Sequence, residues 1–194
     1  MKGIMEKLNA IKTEEENKIL KSIKNHENVS RLVSVSMSNS KMGKVPSVSL
    51  LPVFSCSGRC IKTCAARCYA VKLCRIRPVV AHCYARNMAI AKHAPRAYWK
   101  VVNAAAKNAR FFRFHVSGDI LNDRYFEEMC KTARKNPHCT FLAFTKQYEI
   151  INLHLQCGDA IPHNLKIMFS GWENLKPTNP YNFPETNVYK TIAD

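Results

Sequence analysis

A chain of 194 residues with 46% hydrophobic content can bury one good core and is too short for two large ones. No apolar run approaches the roughly 18 to 20 residues of a membrane span, and the charged stretch from Met1 to Asn28 lacks a signal-peptide centre, so the sequence reads as soluble and cytoplasmic with no membrane partner. The net charge is +16, and no Asp or Glu occurs from Val29 to Gly118, where 16 of the 30 Lys and Arg lie; the other 14 balance all 14 acids.

In chain order, Thr13 to Glu27 puts Ile19, Leu20 and Ile23 on one face of a charged, peripheral helix, with Glu14, Glu15 and Glu16 at its positive end. Arg31 to Ser38 alternates like a half-buried strand, Ser38 to Lys44 reads as a polar turn, and Val45 to Phe54 is a second extended run leading into the cysteines. Ala81 to Ala109 is helical in composition, and Pro95 inside it predicts two helices or a kink. Three apolar strands follow: Phe111 to Val116, Thr140 to Phe144 and Leu165 to Phe169. They end in Ser117, Gly118 and Asp119, in Thr145 and Lys146, and in Ser170, Gly171 and Trp172. Helical patterns at Asp123 to Lys135 and about Gln147 to Gln156 separate them.

Strands alternating with helices imply parallel pairing. The expected fold class is α/β, a partial (β/α) barrel or open parallel sheet of about four to six strands, because a full barrel takes about 250 residues. The expected organisation is an N-terminal helical extension over 1–30, the cysteine-bearing α/β domain over 31–180 and an irregular tail over 181–194. Functional groups of such sheets gather where the strands end, which puts the three strand-end clusters on one rim with the cysteine loop.

Nine cysteines in a chain read as cytoplasmic point to metal or redox use rather than disulfides. Cys56, Cys60, Cys64 and Cys68 recur every fourth residue, while Cys130, Cys139 and Cys157 read as ordinary thiols. Soft thiolates at short intervals favour an iron–sulfur cluster or zinc. The spacing lacks the paired knuckles of a zinc ribbon, yet structural zinc stays open as the alternative. One continuous helix would offer only two of the sulfurs to one ion, and Pro52 and Gly58 favour a loop at least as far as Cys60. Arg59, Lys62 and Arg67 would stabilise thiolates or contact a nucleic-acid backbone. The acid-free region 29–118 as a whole suggests DNA or RNA as a partner, or an anionic cluster. His115 and Asp119 read either as an acid/base pair or as a hydrogen-bonded core histidine and the N-cap of a following turn. Lys146 reads as a neutraliser of carboxylate or phosphate, or as a solvated rim lysine.

The run from Lys44 to Leu50, Cys56, Cys64 and Cys68-Tyr69-Ala70, Arg113 to Ile120 with its Ser-Gly-Asp, and Phe141 to Lys146 together resemble the phage and mobile-element family called gene product eighty-eight, over roughly Ser38 to Asn182. That family's pattern is similar in turn to radical S-adenosylmethionine enzymes. The resemblance implies a four-iron four-sulfur cluster on Cys56, Cys64 and Cys68, with Cys60 as a fourth candidate. It also implies S-adenosylmethionine beside Tyr69, Ser117, Gly118 and Asp119; the strand-end positions of His115, Asp119 and Lys146 make these the expected catalytic residues, with a nucleic acid or protein as the expected substrate. Cys74 and Cys83 are further candidate ligands.

Overall fold

The computed structural model describes residues 2–38 and 43–188. Alternating side chains on the apolar segments produce the sheet. Phe112 and Phe114 on β3 (Phe111–Phe114), Phe141 and Ala143 on β4 (Thr140–Thr145), and Leu165, Ile167 and Phe169 on β5 (Leu165–Trp172) are all buried. The intervening Arg113, Leu142, Phe144, Lys166 and Met168 lie on the other, less covered face. Phe112, Phe114 and Phe141 meet with ring centroids 5.2 to 5.6 Å apart, and each such ring contributes about 1.5 to 3 kcal/mol by leaving water.

Six strands pair in the order β1-β2-β3-β4-β5-β6, with β1 (Val35–Ser36) antiparallel to β2 (Ser47–Val48) and every later pairing parallel. Strand order that follows the sequence is the winding of a (β/α) barrel, whereas doubly wound sheets reverse direction. Right-handed crossovers then carry the helices to one face. The helices are α1 (Lys2–Lys24), α2 (Gly58–Lys62), α3 (Tyr69–Ile76), α4 (Pro78–His93), α5 (Pro95–Ala106), α6 (Asp123–Lys135) and α7 (Tyr148–Gln156). Pro78 and Pro95 each open a helix, where a missing N–H costs nothing. Asn122 caps α6 by accepting from the Tyr125 amide at 2.9 Å.

Four regions differ from the sequence reading. The first helix begins at Lys2, not Thr13, and is not peripheral: Leu8, Ile11 and Ile19 are buried, while Leu20 is exposed. Glu14, Glu15 and Glu16 accordingly sit mid-helix and do not face its positive end. Buried Glu15 takes hydrogen bonds from His82 Nδ1 at 2.9 Å and Arg86 Nε at 2.8 Å on α4. Burial alone would raise its pKa, but these partners hold the carboxyl below the usual value. Glu16 bonds Lys92 Nζ at 2.8 Å and His93 Nε2 at 2.6 Å, which lowers it to about 2. The second difference is that Arg31 to Ser38 and Val45 to Phe54 shrink to two-residue strands, preceded by a 3-10 turn at Val29–Leu32 and followed by turns. Thirdly, the segment after Glu173 is not wholly irregular, since β6 (Glu185–Val188) pairs with β5 and Asn187 lies over Gly171, where any side chain would collide with it. The fourth is the helical turn α2, which begins at Gly58 where a loop to Cys60 was expected. Residues 39–42 of the expected polar turn and residues 189–194 of the expected tail lie outside the described part.

Candidate metal centre at the strand ends

The cysteine segment breaks its own helix. Cys56 precedes α2, Cys60 lies within it, and Thr63 (φ −116°, ψ −86°) ends it. Cys64 leads into the 3-10 turn Ala65–Arg67, and Cys68 stands at the start of α3. Four short pieces in new directions remove the objection that a continuous helix could aim only two sulfurs at one place. Three residues before Cys56, Val53 holds φ +72°, a left-handed conformation that a β-branched residue rarely accepts, and its carbonyl receives the Cys56 amide at 3.3 Å.

Cys60 is the buried centre of the set, at 3% exposure. Ser57 Oγ lies 3.4 Å from its sulfur, and the Cys64 thiol donates to the Cys60 carbonyl at 3.9 Å. Interaction with Cys56 and Cys64 lowers the Cys60 pKa, and the same interaction together with burial raises those of Cys56 and Cys64. The Cys68 charge acts on Cys64 and the Lys146 ammonium on both Cys60 and Cys64. Among the described residues, the one trio of His, Cys, Asp or Glu ligand atoms lying within 4.8 Å of one another is Glu14, Glu15 and His82, which the adjacent Arg86 and Lys18 already neutralise. The cysteine sulfurs are thus more spread than the edge of about 3.8 Å that a tetrahedral zinc with 2.3 Å bonds requires. A cluster takes each sulfur on a different iron and suits a wider set.

The strand ends hold this segment in place. Leu50 N donates to Ser117 O at 2.9 Å, Ser117 Oγ to Leu50 O at 3.1 Å, and the Ser117 amide to Ser49 Oγ at 3.3 Å. Gly118 (φ +81°) packs so closely that a Cβ would stand 2.4 Å from Ser55 Oγ and 2.8 Å from Leu50 O. Asp119 is buried and joins three segments. Its carboxylate accepts from Thr145 Oγ1 at 2.6 Å, the Lys146 amide at 2.8 Å and the Ile120 amide at 2.8 Å, while its own amide donates to Ser55 Oγ at 3.3 Å. Burial pushes its pKa up to about 6 despite these donors. The N-cap of α6, three residues further on, is Asn122. Lys146 Nζ donates to Ser170 Oγ at 2.8 Å, and Tyr148 OH to Ser170 O at 2.5 Å. Tyr69 OH donates to the Val116 carbonyl, so this tyrosine stands beside the Ser117 to Asp119 block.

His115 is not paired with Asp119. It ends β3 in the left-handed region (φ +57°), is buried, and bonds Tyr125 OH at 3.0 Å, which in turn meets Tyr98 OH at 2.8 Å. Burial lowers its pKa to about 3 and keeps it neutral. Two of the interleaved cations are used internally: Arg59 pairs with Glu149 and Arg67 with Glu173, the latter at 2.9 Å. Cys74 is buried in α3, and burial raises its pKa to about 11. Sequence reasoning missed Ser49, Ser55 and Tyr148, whose roles depend on partners far along the chain; only Ser55, next to Cys56, carried a positional signal.

The family model described as Gene product 88 matches residues 9–190. No curated protein and no solved structure matches the chain. No helix among the described residues is long and apolar enough to cross a membrane.

Proposed function

The chain belongs to the Gene product 88 family, and from that premise we propose that it is an iron–sulfur protein whose Cys56, Cys60, Cys64 and Cys68 together hold a four-iron four-sulfur cluster at the strand-end rim. The observation that carries this reading is that the broken segment brings Cys56, buried Cys60, Cys64 and Cys68 onto one short stretch, held to the strand ends through Ser55 and Leu50. When bound, the cluster supplies one-electron chemistry.

The chain's own residues do the rest. Lys146, fixed by Ser170, places a cation beside Cys60 and Cys64, where four thiolates would concentrate negative charge. Arg59 and Arg67 clasp the cysteine segment to α7 and to the end of β5 through Glu149 and Glu173. Ser117, Gly118 and Asp119 hold the Leu50 to Ser55 approach, so that Cys56 leaves the sheet at a fixed point.

A radical S-adenosylmethionine enzyme, the second reading, keeps Cys60 off the cluster so that one iron can bind the cofactor's amine and carboxylate. What favours it is Tyr69 standing beside the Ser117 to Asp119 block. What weighs against it is the central place of Cys60 and the internal use of Ser117, Gly118 and Asp119. The nucleic-acid-binding module with structural zinc is weakened by the spread of the sulfurs. Anaerobic reconstitution followed by metal and sulfide analysis separates these readings from zinc: the expected content is about four iron and about four acid-labile sulfide per chain. One tightly held zinc with no sulfide would overturn the proposal.

A further inference from the structure

The acid-free stretch of the sequence does not stay acid-free in space, because Glu15, Glu16, Glu149 and Glu173 come from outside it to meet His82, Arg86, Lys92, His93, Arg59 and Arg67. A further set of cations, drawn from inside and outside that stretch, lines a groove elsewhere. Two clefts, of about 680 and 580 Å³, lie end to end between α5 and α6 and share Arg96, Trp99 and Glu128. Their lining carries eight Lys or Arg against three Glu. On α5 the cations are Arg96, Lys100 and Lys107; on α6 they are Arg124, Lys131 and Lys135.

Both sets have helical logic. Positions 96, 100 and 107, and positions 124, 131 and 135, each fall on one stripe, because 11 residues make close to three turns and advance about 16 Å along a helix. All six side chains are exposed, and of the six only Lys131 has an acidic partner among the described residues, Glu128 at 2.8 Å. Between the walls Asn103 bonds Thr132 Oγ1 at 3.3 Å and Asn136 at 3.2 Å, so the groove floor is already satisfied. Trp99, the large ring between the stripes, is 5% exposed and packs on Tyr98 and Tyr125.

We infer that the α5/α6 groove is a binding site for a nucleic-acid backbone. Two rows of exposed cations, five of the six without an acidic partner among the described residues, line the groove over about three helical turns and match a continuous line of phosphates. A protein partner would need an exposed aromatic or apolar anchor, and the buried Trp99 is none. Lacking exposed rings and base-reading groups, the groove takes phosphates without regard to sequence. One end opens at Phe54, two residues before Cys56, so a bound strand would run toward the cysteine rim. The site stands independently of the cluster.

The test is fluorescence anisotropy of the full chain with labelled single-stranded RNA, single-stranded DNA and duplex DNA of about 20 nucleotides per strand, over about 50 to 200 mM salt. The variant Arg96→Gln, Lys100→Gln, Lys107→Gln should bind the preferred oligonucleotide at least about tenfold more weakly and lower the salt slope by about two to three. Arg124→Gln with Lys135→Gln on the facing wall should weaken it in the same sense. Lys72→Gln, Arg75→Gln, Arg77→Gln makes the same charge change outside the groove and should stay within about twofold of the wild type. Equal losses in the two triple variants, no salt-dependent binding by the wild type, or polyglutamate competing as well as an oligonucleotide of equal charge would each overturn the inference.

Discussion

Cys60→Ala should abolish cluster assembly as completely as Cys56→Ala, Cys64→Ala or Cys68→Ala, taking iron from the proposed content of about four per chain to below about one. The reason is positional. Cys60 is the buried member of the four and lies on α2, between Cys56 before that helix and Cys64 after it, so its removal takes out the ligand on which a four-thiolate site would centre. The segment also has little order of its own: α2 is one turn of five residues, far below the length at which a helix holds without tertiary support. Bonds from four thiolates to one cluster would supply that support, and losing any one should loosen the others. Cys83→Ala, on α4, serves as the matched control and should retain the wild-type iron content. A Cys60→Ala protein that keeps full iron would leave three ligands and an open iron, and would move the account to the radical-enzyme reading.

Asp119→Ala should destabilise the fold by about 3 to 5 kcal/mol in urea unfolding, the usual cost of removing one partner from a buried charged network. Thr145 Oγ1 and the amides of Ile120 and Lys146 would all lose their acceptor in a site without solvent. Asp119→Asn should cost less, since the amide oxygen still accepts on one side while its NH2 opposes one of the donors. The pH dependence separates the two states of this group. Burial raises the native pKa to about 6 from an ordinary 3.8, so between those values the folded chain holds a proton that the unfolded chain has released. Wild-type stability should therefore fall relative to Asp119→Asn as pH rises through that window. A flat difference would mean that the carboxyl is ionised throughout.

Much of the sheet was legible because its signal is local. Phe111 to Val116, Thr140 to Phe144 and Leu165 to Phe169 are short apolar runs closed by small or polar residues, and Pro95 marks a helix start by its missing donor. What escaped depends on distant partners. The first turns of α1 carry about one apolar residue each among lysines, and Leu8 and Ile11 become core only because α4 lies beneath them. β6 sits in a segment rich in Pro and Asn, and the edge of β5 makes it a strand. The charge segregation was correctly read along the chain, but which cations stay unneutralised was decided by acids arriving from α1, α7 and the end of β5.

The same division runs through the site. Spacing was enough to single out Cys56, Cys60, Cys64 and Cys68, and the Ser-Gly-Asp and Thr-Lys blocks do lie beside them. Their hydrogen bonds were not readable. Ser117, Gly118 and Asp119 bind the protein's own Leu50 to Ser55 segment, and His115 turns toward Tyr125. Residue type announced polarity at these positions, and only the folded chain showed which partners Ser117, Asp119 and His115 Nε2 take.

Four-thiolate ligation is tested most directly by electron paramagnetic resonance of the anaerobically reconstituted, reduced protein with and without S-adenosylmethionine. A reduced-cluster signal that the added cofactor leaves unchanged is the expected result. A signal that shifts on its addition would show an open iron, and the absence of any cluster signal in a zinc-loaded protein would remove the cluster altogether.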